Sequence, residues 1–239
     1  RSICVMGPRS RDLLATLTTV SLSNEDFPFG TAQPIELGMA PVRAHRVSYV
    51  GELGWEIYVA TDMAAYVFEQ LMEKGEAFNL KLCGLHVLDS CRIEKAYRHF
   101  GHDITDEDHV LEAGFGFAVK TDKPVGAFGH FIGRDAVLSK RETGLSRRLL
   151  QFQLIDPDPL LYHTEPILRD GEIVGYISSG SYGHWLGGAI GLGYVPTEPG
   201  EAAATILASD YEIEVAGKRY AATASLVPLY DPKSDRVRS

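Results

Sequence analysis

A charged stretch, Ser139–Arg148, divides this chain into two parts whose hydrophobic periods differ. Lys140, Arg141, Glu142, Arg147 and Arg148 surround Gly144 there, a composition that marks a junction rather than an element interior. Downstream, every apolar run reads as a short strand. Arg147–Ile155 alternates. Ile167–Leu168 and Glu172–Tyr176 flank Arg169-Asp170-Gly171, and Glu212–Val215 and Tyr220–Ala224 flank Ala216-Gly217-Lys218. The first of these connections carries the Asp-Gly turn pair. Short strands at turn spacing predict a barrel or a sandwich. With 239 residues the chain has room for two small domains, read here as residues 1–145 and 146–239.

Upstream of the junction the elements are mixed. Ser2–Gly7 reads as a strand ending in a Gly-Pro turn, and Ser10 as the cap of a short helix, Arg11–Leu17. Val20–Gly30 is loop. Pro41–Tyr49 and Trp55–Ala60 read as strands joined by the glycine-rich Val50–Gly54. In the second of them Trp55, Ile57 and Val59 alternate with Glu56 and Tyr58, which puts Glu56 on the face away from the apolar set. Thr61 or Asp62 caps a helix to Lys74, with Tyr66, Val67, Phe68 and Leu71 as its stripe and Gly75 as its stop. A second helix runs Leu85–Ala96, a loop Phe100–Asp108, a strand Gly114–Lys120, and a short helix from Phe131 to Lys140.

Composition narrows the function classes. A net charge of -9 argues against a nucleic-acid partner, which needs a basic face. Ile173–Thr197 has no Asp, Glu, Lys or Arg, but Gly, Ser, His and Pro interrupt it too often for a membrane helix. Cys4, Cys83 and Cys91 are an odd count without a C-x-x-C pair, which fits a reducing compartment and reads as packing, not metal binding. His99 and His102 find no further ligands for a zinc pattern, so no metal is expected. Dinucleotide, P-loop, zincin and nucleophile-elbow motifs are all missing from the sequence.

Four segments combine glycine with charge or aromatic rings. In Ser48–Glu56 two glycines let the backbone return and bring Tyr49 towards Glu56. A carboxylate and a phenol together suit a flat heterocycle, the one accepting two parallel N–H bonds and the other packing on the ring. The same residues also read as a surface hairpin with an exposed Glu, the commoner fate of that side chain. Asp89 and Arg92 are one helical turn apart, so Arg92 is either half of a weak ion pair or a clamp for a substrate carboxylate. Asp103, after Gly101-His102, caps a turn or buttresses a site. In Ser178–His184, followed by Gly187-Gly188, the backbone either makes unusual turns or approaches something closely, as loops at barrel ends that line sites do, or the glycines are structural.

In this order the segments resemble the aminomethyltransferase (glycine-cleavage T-protein) family over nearly the whole chain. The matching stretches are Val5–Ser10, Tyr49–Glu56, Cys83-Gly84-Leu85 into Asp89–Glu94, Phe100–Ile104, Leu111–Gly114, Phe131–Arg134, Ser178–Gly180 and Ala189–Val195. Tyr49–Glu56, Arg92–Asp106 and Ser181–His184 are most similar to the folate-binding part of dimethylglycine and sarcosine dehydrogenases. The resemblance implies an α+β fold: a ferredoxin-like folate-binding region in residues 1–145 followed by a C-terminal β-barrel.

It further implies tetrahydrofolate as cofactor and transfer of a one-carbon unit to or from it. The small-molecule substrates would be folate and a methylated amine or aminomethyl donor. Glu56 would bind the pterin edge, Tyr49 would line the pterin pocket, and Arg92 would meet the glutamyl carboxylate or brace the wall. Tyr182 and His184 are further pocket candidates. The family's catalytic aspartate lies upstream of the Val-x-Gly-Pro stretch, so this chain is expected to lack it, together with any N-terminal domain that holds FAD. Leu88 stands where T-protein members carry an Arg. The compartment implied is cytoplasmic, or the mitochondrial matrix in a eukaryote. The alternative is a non-catalytic folate-binding or regulatory module of a larger oxidoreductase.

Overall fold

The computed structural model describes residues 1–123, 126 and 130–239. The chain forms two compact units, Arg1–Lys95 with Asp231–Ser239, and Ala96–Tyr230. The sequence expectation put the junction at Ser139–Arg148, where the first barrel strand begins. By compactness the division falls at Lys95, because residues 96–146 pack with the barrel: the amide of Leu149 donates to the Glu112 carbonyl at 3.0 Å.

The first unit opens with β1 (Ser2–Met6), α1 (Ser10–Ala15), β2 (Ala32–Leu37), β3 (Ala40–His45) and β4 (Gly54–Val59). α2 (Ala64–Gly75) and α3 (Leu85–Glu94) follow. The strands form one antiparallel sheet in the order β1-β4-β3-β2. One face is buried through Val5, Ile35, Leu37, Val42, Ala44, Trp55, Ile57 and Val59, against Leu13 and Leu14 of α1 and Val67 and Leu71 of α2. β2 lies in a stretch to which the sequence assigns no element. Pro34 and two polar neighbours mask its alternation, and it is an edge strand, where a proline costs no ladder bond.

Several local expectations shift. Ser10 caps nothing; its hydroxyl donates to the Leu53 carbonyl at 3.1 Å. Thr61 and Asp62 lie in a separate 3₁₀ turn before α2. Phe68 is exposed, and Gly75 is a packing residue inside α2, since a Cβ there would sit 2.4 Å from Leu80 Cδ2. The chain turns away instead at Asn79, with φ 57°. Cys4 and Cys83 are exposed and Cys91 is half-buried, so the packing reading suits Cys91 alone.

The second unit contains α4 (Arg134–Thr143), β5 (Arg147–Leu154), β6 (Pro166–Arg169), β7 (Glu172–Gly183), β8 (Gly188–Pro196), α5 (Ala203–Ala208), β9 (Tyr211–Val215) and β10 (Lys218–Ser225). The six strands close into a barrel in the order β10-β5-β8-β7-β6-β9, around Leu150, Phe152, Ile167, Ile177 and Ile213. The α+β class with a C-terminal barrel holds. Two expectations do not. Gly114–Lys120 is a turn and a 3₁₀ segment, not a strand. Ser178–Gly183 is not a loop but the end of β7, paired along β8 through Gly180↔Gly191 and Tyr182↔Ala189. Gly180 answers to close approach, the other possibility foreseen, since a Cβ there would lie 2.6 Å from the Leu161–Tyr162 backbone. α6 (Asp235–Arg238) belongs to the returning tail of the first unit. Among the described residues no helix is long and apolar enough to cross a membrane.

Gly193 shows crowding of the same kind between strands. A Cβ there would lie 2.4 Å from Ile167 Cδ1 and 2.6 Å from the Tyr176 carbonyl, which cannot give way without moving β7. Gly193→Ala is expected to destabilise the protein by about 1–3 kcal/mol in urea unfolding.

Candidate functional site

Period-two alternation in β4 aims Glu56. Trp55, Ile57 and Val59 are buried, while Glu56 is half-buried on the opposite face. In register, Cys4 of β1 and His45 of β3 flank it. Two positions along, the Tyr58 hydroxyl donates to Glu56 Oε2 at 2.6 Å. That bond pushes the Tyr58 phenol up, so it stays protonated as donor. Partial burial, and then the Glu56 charge, push the Cys4 thiol up as well. On this face of the sheet the Glu56 carboxylate thus stands beside Cys4, His45 and Tyr58, with Arg43 of β3 opposite Tyr58.

Tyr49 stands beside it in the chain but not in a strand. β3 ends at His45, and Tyr49 sits half-buried in the connection to β4. That bend has solid support. Gly51 has φ +78°, and a Cβ there would press on the Lys95 stem at 3.3 Å. Lys95 is only 1% exposed; its ammonium donates to the Asp231 carbonyl and, at 2.9 Å, to Asp231 Oδ2. Burial raises Asp231, but hydrogen bonds from Lys95 and the Asp235 amide outweigh it and hold the carboxyl low. Glu52, next along the bend, meets Arg236 at 3.5 Å. Arg46 at the start of the bend is buried, donates to Phe27 and Ser239 carbonyls, and lies 5.6 Å from the Trp55 ring centre.

Arg92 is buried in α3, and its Nε donates to Asp89 Oδ1 at 2.9 Å, the i,i+3 pairing that the spacing predicts. Tyr182 and His184 belong to the second unit, the first in β7 and the second in the following turn, with ring centres 5.3 Å apart. Asp103 is buried and does both tasks foreseen for it. It accepts the His99 amide at 2.9 Å, closing the 99–103 turn, and accepts the Ser178 hydroxyl of β7. Ser178 reaches it because the β7–β8 ladder shifts register between Ile177 and Ser179.

The second unit also holds a cavity of about 520 Å³ between the 102–108 loop and strands β5, β7 and β8. Arg147 stands in its wall, stacked 4.5 Å from the Tyr194 ring centre and forked between Asp108 at 2.6 Å and Glu112 at 3.0 Å. Burial would raise Glu112, but Lys140, Arg147 and Ser146 all donate to it and bring it down to about 2. Burial and the Asp108 charge push Tyr194 up to about 12.

The model of the GCVT N-terminal domain matches residues 1–123, and that of the glycine cleavage T-protein C-terminal barrel domain matches residues 147–231. The chain belongs to the glycine cleavage T-protein family. Its relatives in that family include a 4-methylaminobutanoate oxidase (formaldehyde-forming) from Paenarthrobacter nicotinovorans, 40% identical over 99% of this chain and 28% of that protein. Human mitochondrial sarcosine dehydrogenase is 36% identical over 99% of this chain and 25% of its own length. An aminomethyltransferase from Halothermothrix orenii is 38% identical over 83% of this chain and 54% of its own. The chain thus spans about a quarter of the oxidase and dehydrogenase relatives. The glycine cleavage system aminomethyltransferase T from Bartonella henselae shares the fold, with a TM-score of 0.79 at 22% identity over 97% of this chain and 60% of that one.

Lys95, Arg46 and the Arg147–Glu112 network were not singled out from the T-protein-like sequence. A Lys at a helix end or an Arg before a bend reads as solvated, and only long-range packing shows otherwise. Glu112 lies within the matched Leu111–Gly114 stretch and Lys95 within Arg92–Asp106, and those were the available hints.

The sign of the Glu112 effect follows from its lowered carboxyl. Its contribution is present above its ordinary value of 4.5 and is lost as pH falls through about 2. The stability gap between the parent protein and Glu112→Gln should therefore be wide at neutral pH. It should shrink by about 3 kcal/mol as unfolding is followed down from pH 4.5 to 2.

Proposed function

We propose that this chain is the folate-binding part of an enzyme that transfers a one-carbon unit to or from tetrahydrofolate. The observation that carries the reading is the Glu56 carboxylate, aimed off the sheet with one oxygen engaged by Tyr58 and Oε1 turned to no other described donor. That group fits the edge of a pterin, whose amino group and neighbouring ring N–H present two parallel donors. Tyr49, on the supported bend, would pack on the bicycle, and Arg92 would brace the wall through Asp89. Tyr182 and His184 are candidates by the family resemblance alone. Tetrahydrofolate, when bound, supplies the ring nitrogens that carry the one-carbon unit. The protein's own residues would hold the pterin edge and orient the ring, with the Glu56 side chain as the acceptor beside it. A methylated amine or aminomethyl donor would be the second substrate.

A second reading has its own observation. The chain spans about a quarter of relatives named as an oxidase and a dehydrogenase, so the same fold would serve as a folate-binding or regulatory module of a larger oxidoreductase, with FAD on another domain. A one-carbon assay on the complete polypeptide separates the two readings.

Calorimetry with tetrahydrofolate tests the site. Glu56→Ala should cost about 1.5–3 kcal/mol of binding, the worth of a hydrogen bond to a charged group. Tyr58→Phe should leave binding within about 0.5 kcal/mol, because it frees an oxygen without removing the charge. Unchanged affinity in Glu56→Ala would remove Glu56 from the site.

A further inference from the structure

We infer that the cavity of the second unit is a binding site for a small protonated amine. This does not rest on the folate reading, since the cavity lies wholly among residues of the barrel unit and shares no residue with Glu56, Tyr49 or Arg92. Its volume of about 520 Å³ is in the range of small-molecule sites.

The sign of the ligand follows from the lining. Asp103, Glu107 and Asp108 line the cavity together with Arg147, and Arg98 stands near enough to Asp103 and Tyr194 to answer the Asp103 charge. Arg147 is already matched by Asp108 and Glu112, with Lys140 on the second oxygen of Glu112 at 2.8 Å. What remains is an excess of negative charge at the mouth, carried by the exposed Glu107 carboxylate. An anionic ligand is repelled there and an ammonium is drawn in.

Two further groups suit an ammonium. The Tyr194 hydroxyl is buried and finds no hydrogen-bond partner among the described residues. Buried polar atoms are rarely left so. Burial, and then the Asp108 charge, raise Tyr194 against the lowering pull of Arg147 and Arg98, so the phenol stays neutral and keeps lone pairs for an N–H donor. Tyr176, 62% exposed, adds a ring face at the rim on which an alkylammonium can rest. Ser178 is not a competing anchor, because its hydroxyl is spent on Asp103.

Isothermal titration of the 239-residue chain with methylammonium chloride, against sodium chloride at equal ionic strength, tests this. Saturable binding of methylammonium is expected. Tyr194→Phe and Glu107→Gln should each weaken it about tenfold. Neither change should lower the thermal midpoint, since the first removes an unpaired buried hydroxyl and the second alters an exposed side chain. Methylammonium that binds no better than sodium overturns the proposal. So does parent-like affinity in both variants, which would make the Tyr194 hydroxyl a packing defect only. Preferential binding of glutarate, tried as an anionic control, overturns it as well.

Discussion

Strand β4 imposes the constraint from which the rest follows. Its alternation buries Trp55, Ile57 and Val59 and leaves Glu56 and Tyr58 outward, and pairing on both sides fixes that choice. Each of the three apolar side chains is worth about 1.5–3 kcal/mol when buried, and a carboxylate in their place would cost several more. A slip of one residue would exchange the two faces entirely. Glu56 is thus held outward by the core behind it, and its neighbours Cys4 and His45 are set by register rather than by any attraction to it.

The bend before β4 depends on a different kind of interaction. Lys95 lies beneath Gly51 with its charge enclosed, and Asp231, from the far end of the chain, answers it. A buried ion pair adds little net stability over apolar packing, but removing either partner strands the other. Here it ties the returning tail to the residue beneath the bend. Glu52 with Arg236 and Arg46 with the tail carbonyls repeat the arrangement on either side.

In the barrel unit, backbone crowding and charge matching share the work. β7 and β8 approach so closely that Gly175, Gly191 and Gly193 leave no room for a side chain. The register shift at Ser178 turns one hydroxyl toward Asp103 and ties β7 to the 99–103 turn. Around Arg147, carboxylates and cations are matched closely enough to hold Glu112 ionised down to about pH 2. The cavity beside them inherits the leftover negative charge.

Much of this was legible beforehand, and the division has a physical cause. The sequence by itself determined the change from mixed elements to short strands at Ser139–Arg148, the outward aim of Glu56 and the Asp89–Arg92 pairing. Each rests on period-two or one-turn spacing, which the local backbone enforces. Edge strand β2, the straight run of β7 through Ser178–Gly183, and the turn at Gly114–Lys120 escaped because proline and glycine change meaning with their neighbours. Only the tertiary structure decided that Lys95 and Arg46 are buried, that the tail returns to the first unit, and that Glu112 gathers three donors. Those outcomes hang on residues far apart in the chain, and burial of a charge is settled by the partner that reaches it, which no local pattern records.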